Sequence, residues 1–191
     1  MLNIIYMEGE VFWIRHGQSV ANTFYYLHSF VIDPDLTTLG RKQMLEVAKL
    51  LASENIDYII CSPLKRSIES GQIIKSYMKI IGKCEPIIVI TSSIKESGLG
   101  LDNISLQPTD SIITNIINIS PFCFYGIFYD LLRSLLKNNK KIAIIGHQHV
   151  NSKFIYELSN TNIIPMKNGE IIKMSFTNNG LSVFLQNYLT K

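Results

Sequence analysis

Apolar residues fall in short runs bounded by charged or turn-forming residues, and their spacing shifts between strand and helix periods along the chain. Glu10 to Ile14 is an apolar, partly β-branched run that reads as a short buried strand and leads straight into Arg15-His16-Gly17. A turn-rich stretch containing Asp33-Pro34-Asp35 follows. Thr37 or Thr38 is then placed to cap a helix from Leu39 to Ser53, in which Met44, Val47, Ala48 and Leu51 recur at helical steps. Tyr58 to Cys61 reads as a second strand. Ser62-Pro63 opens the next helix, with Pro63 where its missing N–H does no harm, and Ile68, Ile73 and Ile74 line part of it. Ile87 to Ile90 is a third strand. Gly126 to Leu136 reads as a helix, Lys141 to Ile145 as a fourth strand ending at Gly146-His147, and Val150 to Leu158 as another helix. Ile171 to Phe176 and Leu181 to Phe184, on either side of Asn178-Asn179-Gly180, read as a closing hairpin. Residues 97–120 show no clean period.

Strands alternating with helices predict a mostly parallel sheet covered on both faces, in one domain over residues 1–191. Ligands of such sheets bind beyond the carboxyl ends of the strands. Arg15-His16 and His147 fall at predicted strand ends of that kind, and Arg66 lies just after another.

Composition narrows the partners. The 191-residue chain is 47% hydrophobic and 17% charged, enough apolar surface for a core and too much for disorder. Its net charge of +3 is spread along the chain. The densest run, Lys137, Lys140 and Lys141, fits a solvated helix end better than a nucleic-acid stripe, which would carry interleaved aromatics. A small anionic substrate suits this charge. Cys61, Cys84 and Cys123 are odd in number and lack metal-ligand spacing. With no signal-like start and no apolar run near the ~20 residues of a membrane span, the expected setting is the cytoplasm, with no membrane partner.

Arginine is used sparingly: Arg15, Arg41, Arg66 and Arg133 are all that occur. Two of them sit at the predicted junctions above, and planar guanidinium forks match phosphoryl oxygens better than an ammonium does. Singly, Arg15 reads as an exposed strand-end charge and His16 as a satisfied core histidine. Their joint placement points instead to phosphate chemistry.

Arg15-His16-Gly17-Gln18-Ser19-Val20-Ala21-Asn22 resembles the signature of the histidine phosphatase superfamily, which includes cofactor-dependent phosphoglycerate mutases. Further matches follow in the family's order: Leu36-Thr37 with Gly40 and Gln43, Ser62-Pro63-Leu64-Lys65-Arg66, Ile94-Lys95-Glu96 with Gly100, Ile144-Ile145-Gly146-His147, and Asn168-Gly169-Glu170-Ile171. The resemblance implies a three-layer α/β/α sandwich with a mostly parallel central sheet and an antiparallel C-terminal edge. It also implies a phosphomonoester hydrolase that works through a phosphohistidine on His16. Arg15, Arg66 and His147 would form the phosphate pocket, with Asn22 adding a hydrogen bond. Glu96 would protonate the leaving oxygen and then activate water. Neither metal nor cofactor is implied, because the cationic side chains supply the positive charge.

Several readings stay open at this level. Ser62 caps the helix carrying Arg66 or touches phosphate, and helix capping is the favoured reading. Gln18 faces the substrate or merely fills a variable position. Asp102 is a nearby substitute for Glu96. His147 and His149, two apart, admit a zinc site, though no partner ligands are evident. Gln148 stands where many family members have Gly. By the same resemblance, Gln18 stands where mutases carry Glu, and Ser97-Gly98-Leu99 where they carry the Arg and Tyr that hold the substrate carboxylate, so hydrolysis is expected over mutase-type transfer. A catalytically inactive phosphate-binding protein of the same fold is the other alternative. The substrate and the oligomeric state are not legible.

Overall fold

The structure, a computed structural model, describes residues 7–23, 33–96, 121–136, 139–161, 165–177 and 180–182. The expectations placed on Asp102, Gly100, Lys137, Asn178, Asn179, Phe184 and the stretch 97–120 lie outside the described residues.

Six strands form one sheet: β1 (Gly9–Arg15), β2 (Tyr58–Cys61), β3 (Ile87–Ile90), β4 (Lys140–Gly146), β5 (Ile171–Thr177) and β6 (Gly180–Ser182), in the order β3-β2-β4-β1-β5-β6. The first four run parallel to one another, β5 is antiparallel to β1, and β6 is antiparallel to β5. The helices are α1 (Val20–Thr23), α2 (Thr38–Leu51), α3 (Lys65–Ile80), α4 (Pro121–Leu135) and α5 (Gln148–Ser159).

Side chains alternate across the strands and build a separate core on each face. Trp13, Ile144 and Ile60 point to one side, where Phe128 of α4 and Phe154 of α5 cover them. The Trp13 ring stacks at 5.8 Å on Phe154. Phe12, Ile14, Ile59, Ala143 and Ile145 point to the other side, under Met44, Val47 and Leu51 of α2 and Ile74 and Met78 of α3. The result is the expected three-layer α/β/α sandwich with an antiparallel C-terminal edge.

The strand order positions the site. From β1 the chain moves outward through α2 and α3 to β3 at the sheet edge, then returns to place β4 between β2 and β1. Adjacent strands β1 and β4 therefore send their connections to opposite faces. Ligands of open α/β sheets bind at such a reversal, and there His16 and His147 follow the last residues of β1 and β4.

Several boundaries differ from the sequence reading. Helix α3 starts at Lys65 rather than at Ser62-Pro63, with Leu64 in the extended cap position. Its buried face is Arg66, Ser67, Ser70, Gly71, Ile74 and Met78, and Ile68 and Ile73 are only partly buried. Helix α4 begins five residues early, at Pro121, a residue suited to a first helical position. Helix α5 begins at Gln148, directly after His147, because its polar first turn carries no apolar period to mark it. Thr37 is the cap of α2, its hydroxyl accepting from the Gly40 N–H at 3.0 Å.

Candidate active site

The loop after β1 is held by backbone contacts before any side chain is considered. The His16 N–H donates to the Gly146 carbonyl at 3.1 Å, continuing the β1–β4 register by one residue. The Gly169 N–H donates to the Arg15 carbonyl and the Gly17 N–H to Ser70 Oγ. A Cβ on Gly17 would lie 2.4 Å from the Gly40 carbonyl oxygen, and one on Gly40 would lie 2.0 Å from that of Gln18. Only two glycines let the loop and the first turn of α2 come this close.

His16 sits at the centre of this arrangement. Its Nδ1 is 2.7 Å from the Gly17 carbonyl oxygen, which only accepts, so the ring proton is on Nδ1. The bare Nε2 accepts from Arg66 Nε–H at 3.2 Å. Burial, reinforced by Arg66, pushes the ring down to about 3, so it stays neutral and nucleophilic near pH 7. The His147 ring packs edge-on against it, with centroids 5.0 Å apart. Burial, followed by the neighbouring His16, Arg66 and Arg15, holds His147 well below the ordinary imidazole range.

Glu96 closes the circle. Its Oε2 accepts from Arg66 Nη2 at 2.8 Å and lies 3.5 Å from His147 Nδ1. Asp33 Oδ1 is 3.7 Å from Arg66 Nη1, and both Asp33 oxygens accept from the Lys65 N–H at the start of α3. Arg15 reaches the Met166 carbonyl through Nη1 at 2.6 Å, and burial pulls its guanidinium below its usual value while Glu96 opposes the shift. Arg15 Nε, Arg66 Nη1 and His147 Nδ1 are buried nitrogens with no hydrogen-bond partner. Such groups are expensive to leave unpaired. Arg66 and His147 both meet Glu96, Arg15 acts on them electrostatically, and an anion with several oxygens is the kind of ligand that satisfies such donors.

Residues 11–98 match the family model described as Histidine phosphatase superfamily (branch 1). They include Arg15, His16, Asn22, Arg66 and Glu96, while His147 comes to the site through the fold. A probable phosphatase of Schizosaccharomyces pombe is 38% identical over 91 residues, covering 48% of this chain and 41% of that protein. The chain thus matches about two-fifths of the length of this curated relative. Among solved structures, the mycobacterial glucosyl-3-phosphoglycerate phosphatase in complex with VO3 superposes with a TM-score of 0.68 at 15% identity, covering 96% of this chain and 100% of that one. The protein histidine phosphatase SixA complexed with tungstate superposes at 0.59 and 13% identity, covering 92% and 94%. At these identities the likeness is one of fold, shared with these two phosphatases.

Within this fold, the structure brings His16, Arg66, His147 and Glu96 into contact and sets the other expected residues around them. Arg15 approaches from the β1 end. Asn22 is exposed, and its Oδ1 accepts from the Ser19 N–H, Ser19 Oγ and Asn168 Nδ2, which pins the loop after His16. Gln18 is turned toward α2, its Oε1 accepting from Thr37 Oγ1 at 2.9 Å. His149 is exposed in the first turn of α5, whereas His147 is fully buried, so the pair do not present a shared extended face.

Three contributors escaped the sequence reading. Asn168 Nδ2 donates to the His16 carbonyl at 3.0 Å, although its resemblance signal pointed only to the start of the last strands. Asp33 reaches Arg66 from what read as a turn. Ser62, favoured as a helix cap, has its Oγ 2.8 Å from His147 Nε2. The cap position of α3 belongs to Leu64, so Ser62 is free to contact the histidine.

Proposed function

We propose that this chain is a phosphomonoester hydrolase, a single domain over residues 1–191, that acts through a phosphohistidine on His16 and needs no metal. The observation that carries the reading is the set of unpaired buried nitrogens on Arg15, Arg66 and His147 around the bare Nε2 of His16. A phosphoryl group entering this site meets two guanidinium forks and an imidazole aimed at its oxygens, and a neutral nucleophile aimed at its phosphorus.

His16 Nε2 forms a bond to phosphorus as the ester oxygen leaves, and Glu96 protonates that oxygen. The two guanidiniums carry the negative charge that develops on the equatorial oxygens. Water then attacks the phosphohistidine, Glu96 takes its proton, and inorganic phosphate departs from a regenerated His16. Asn22 contributes by holding the loop, and its Nδ2 is left as a donor once Oδ1 has taken its three partners.

The likeness to proteins named as phosphatases, one solved with VO3 and one with tungstate, supports the same reading. Substrates are small phosphorylated molecules on this proposal, and the expected setting is the cytoplasm, where Cys61 and Cys84 would stay free thiols. Steady release of inorganic phosphate from p-nitrophenyl phosphate is the test. Interconversion of phosphoglycerates primed by a bisphosphate, without phosphate release, would instead identify a mutase.

A further inference from the structure

We propose that Ser62 is a positioning residue that sets the tautomer of His147, keeping its ring proton on Nδ1, the nitrogen that faces the phosphate site. The inference rests on the phosphatase reading for its kinetic consequence and on hydrogen-bond accounting for its geometry.

Ser62 and His147 are both fully buried, at 0% exposure, so neither can turn to water for a missing partner. The Ser62 hydroxyl has one hydrogen to give. The Leu64 N–H already points at its oxygen, at 3.4 Å. Among the described residues, the one acceptor in contact with the hydroxyl is His147 Nε2, at 2.8 Å. Ser62 Oγ–H therefore donates to Nε2, which must be the bare nitrogen, and the ring proton is left on Nδ1.

The other side of the ring gives the same answer. Nδ1 faces Glu96 Oε2 at 3.5 Å, an atom that only accepts. A bare Nδ1 would present a lone pair to that carboxylate and later to phosphoryl oxygens, a repulsive contact in a buried site. With the proton on Nδ1, a neutral His147 is a donor aimed into the pocket and needs no rearrangement when substrate arrives.

Ser62 itself comes from the turn between β2 and α3, and its position is fixed there. Its N–H donates to the Ile145 carbonyl at 3.2 Å and to Ser67 Oγ at 3.1 Å. Ser62 is thus anchored to β4, the strand that leads into His147.

The test is nitrogen NMR of histidine-labelled protein at pH 7, with the His147 signals assigned by their absence in His147→Gln. A protonated Nδ1 and a bare Nε2 in the wild-type protein are expected. In Ser62→Ala the bare Nε2 loses its donor, and the expected spectrum gains the Nε2–H form. A proton on Nε2 in the wild-type protein, or identical His147 signals in both proteins, overturns the proposal. Kinetically, Ser62→Ala should lower kcat on p-nitrophenyl phosphate by about tenfold with KM within about twofold; an unchanged kcat also overturns it. If the wild-type protein hydrolyses nothing, the phosphatase reading fails, and the tautomer in the wild-type spectrum still decides the role of Ser62.

Discussion

Arg66 donates from Nε to the Nε2 of His16 across 3.2 Å, which places a cation on the nitrogen whose lone pair is the reactive one. That contact suppresses protonation of the ring and puts positive charge where phosphoryl oxygens must arrive. Its partner on the far side is Glu96, so a single side chain links the proposed nucleophile to the proposed acid and base.

Replacing His16 with Ala should remove turnover by on the order of 10⁴ or more. It should also abolish an acid-labile, alkali-stable phosphoprotein formed from labelled substrate by the wild-type enzyme. Rapid quench with gel detection checks both, and normal turnover by the variant would refute covalent catalysis at this residue.

Arg66→Lys should lower kcat/KM by about 10²–10³, close to the loss in Arg66→Ala, because an ammonium cannot donate to His16, Glu96 and a phosphoryl group together. Arg66→Ala should also move the His16 titration upward, since the guanidinium is one cause of its depression. An imidazole that titrates at the same pH in both proteins would contradict this assignment.

Glu96→Gln should slow the hydrolysis of alkyl phosphates far more than that of p-nitrophenyl phosphate in single-turnover assays, because p-nitrophenolate leaves without help from an acid. Equal losses on the two substrates would remove Glu96 from proton transfer to the leaving group.

Stability should fall on mild acidification. His16 ordinarily titrates near 6.5 and is held at about 3 when folded, so between those values the unfolded chain binds the extra proton. The contribution is fully present above about pH 6.5 and is lost as the pH drops toward 3, with a slope of about 1.4 kcal/mol per pH unit. His147 acts in the same direction. Urea midpoints measured from pH 4 to 7.5 should show a shallower decline for His16→Asn; parallel curves would count against the buried neutral imidazole.

Much of this was legible from spacing alone. The continuous apolar, partly β-branched run from Glu10 to Ile14 marked β1, and the abrupt change at Arg15-His16-Gly17 marked its carboxyl end. The parallel sheet followed from alternation. Contacts made between distant segments were not legible. Ser62 offered a local explanation as a cap, and only the fold shows His147 beside it. Helix α3 buries Ser67, Ser70 and Gly71 against the sheet, so of the apolar residues read from the sequence only Ile74 belongs to its inner face. Gly71 is there for room, since a Cβ would lie 2.6 Å from Cys61 Sγ.

The placement of β4 between β2 and β1 also governs how activity can arise during synthesis. Of the three strands in the matched N-terminal part, β2 and β3 pair with each other, but β1 joins them only when β4, made much later, inserts between β1 and β2. A growing chain that has emerged as far as Arg66 and Glu96 thus carries most of the proposed reactive groups and no place to assemble them. Long-range pairing of this kind is slow to form. The proposed nucleophile is therefore inert until β4 and the histidine that follows it have been made.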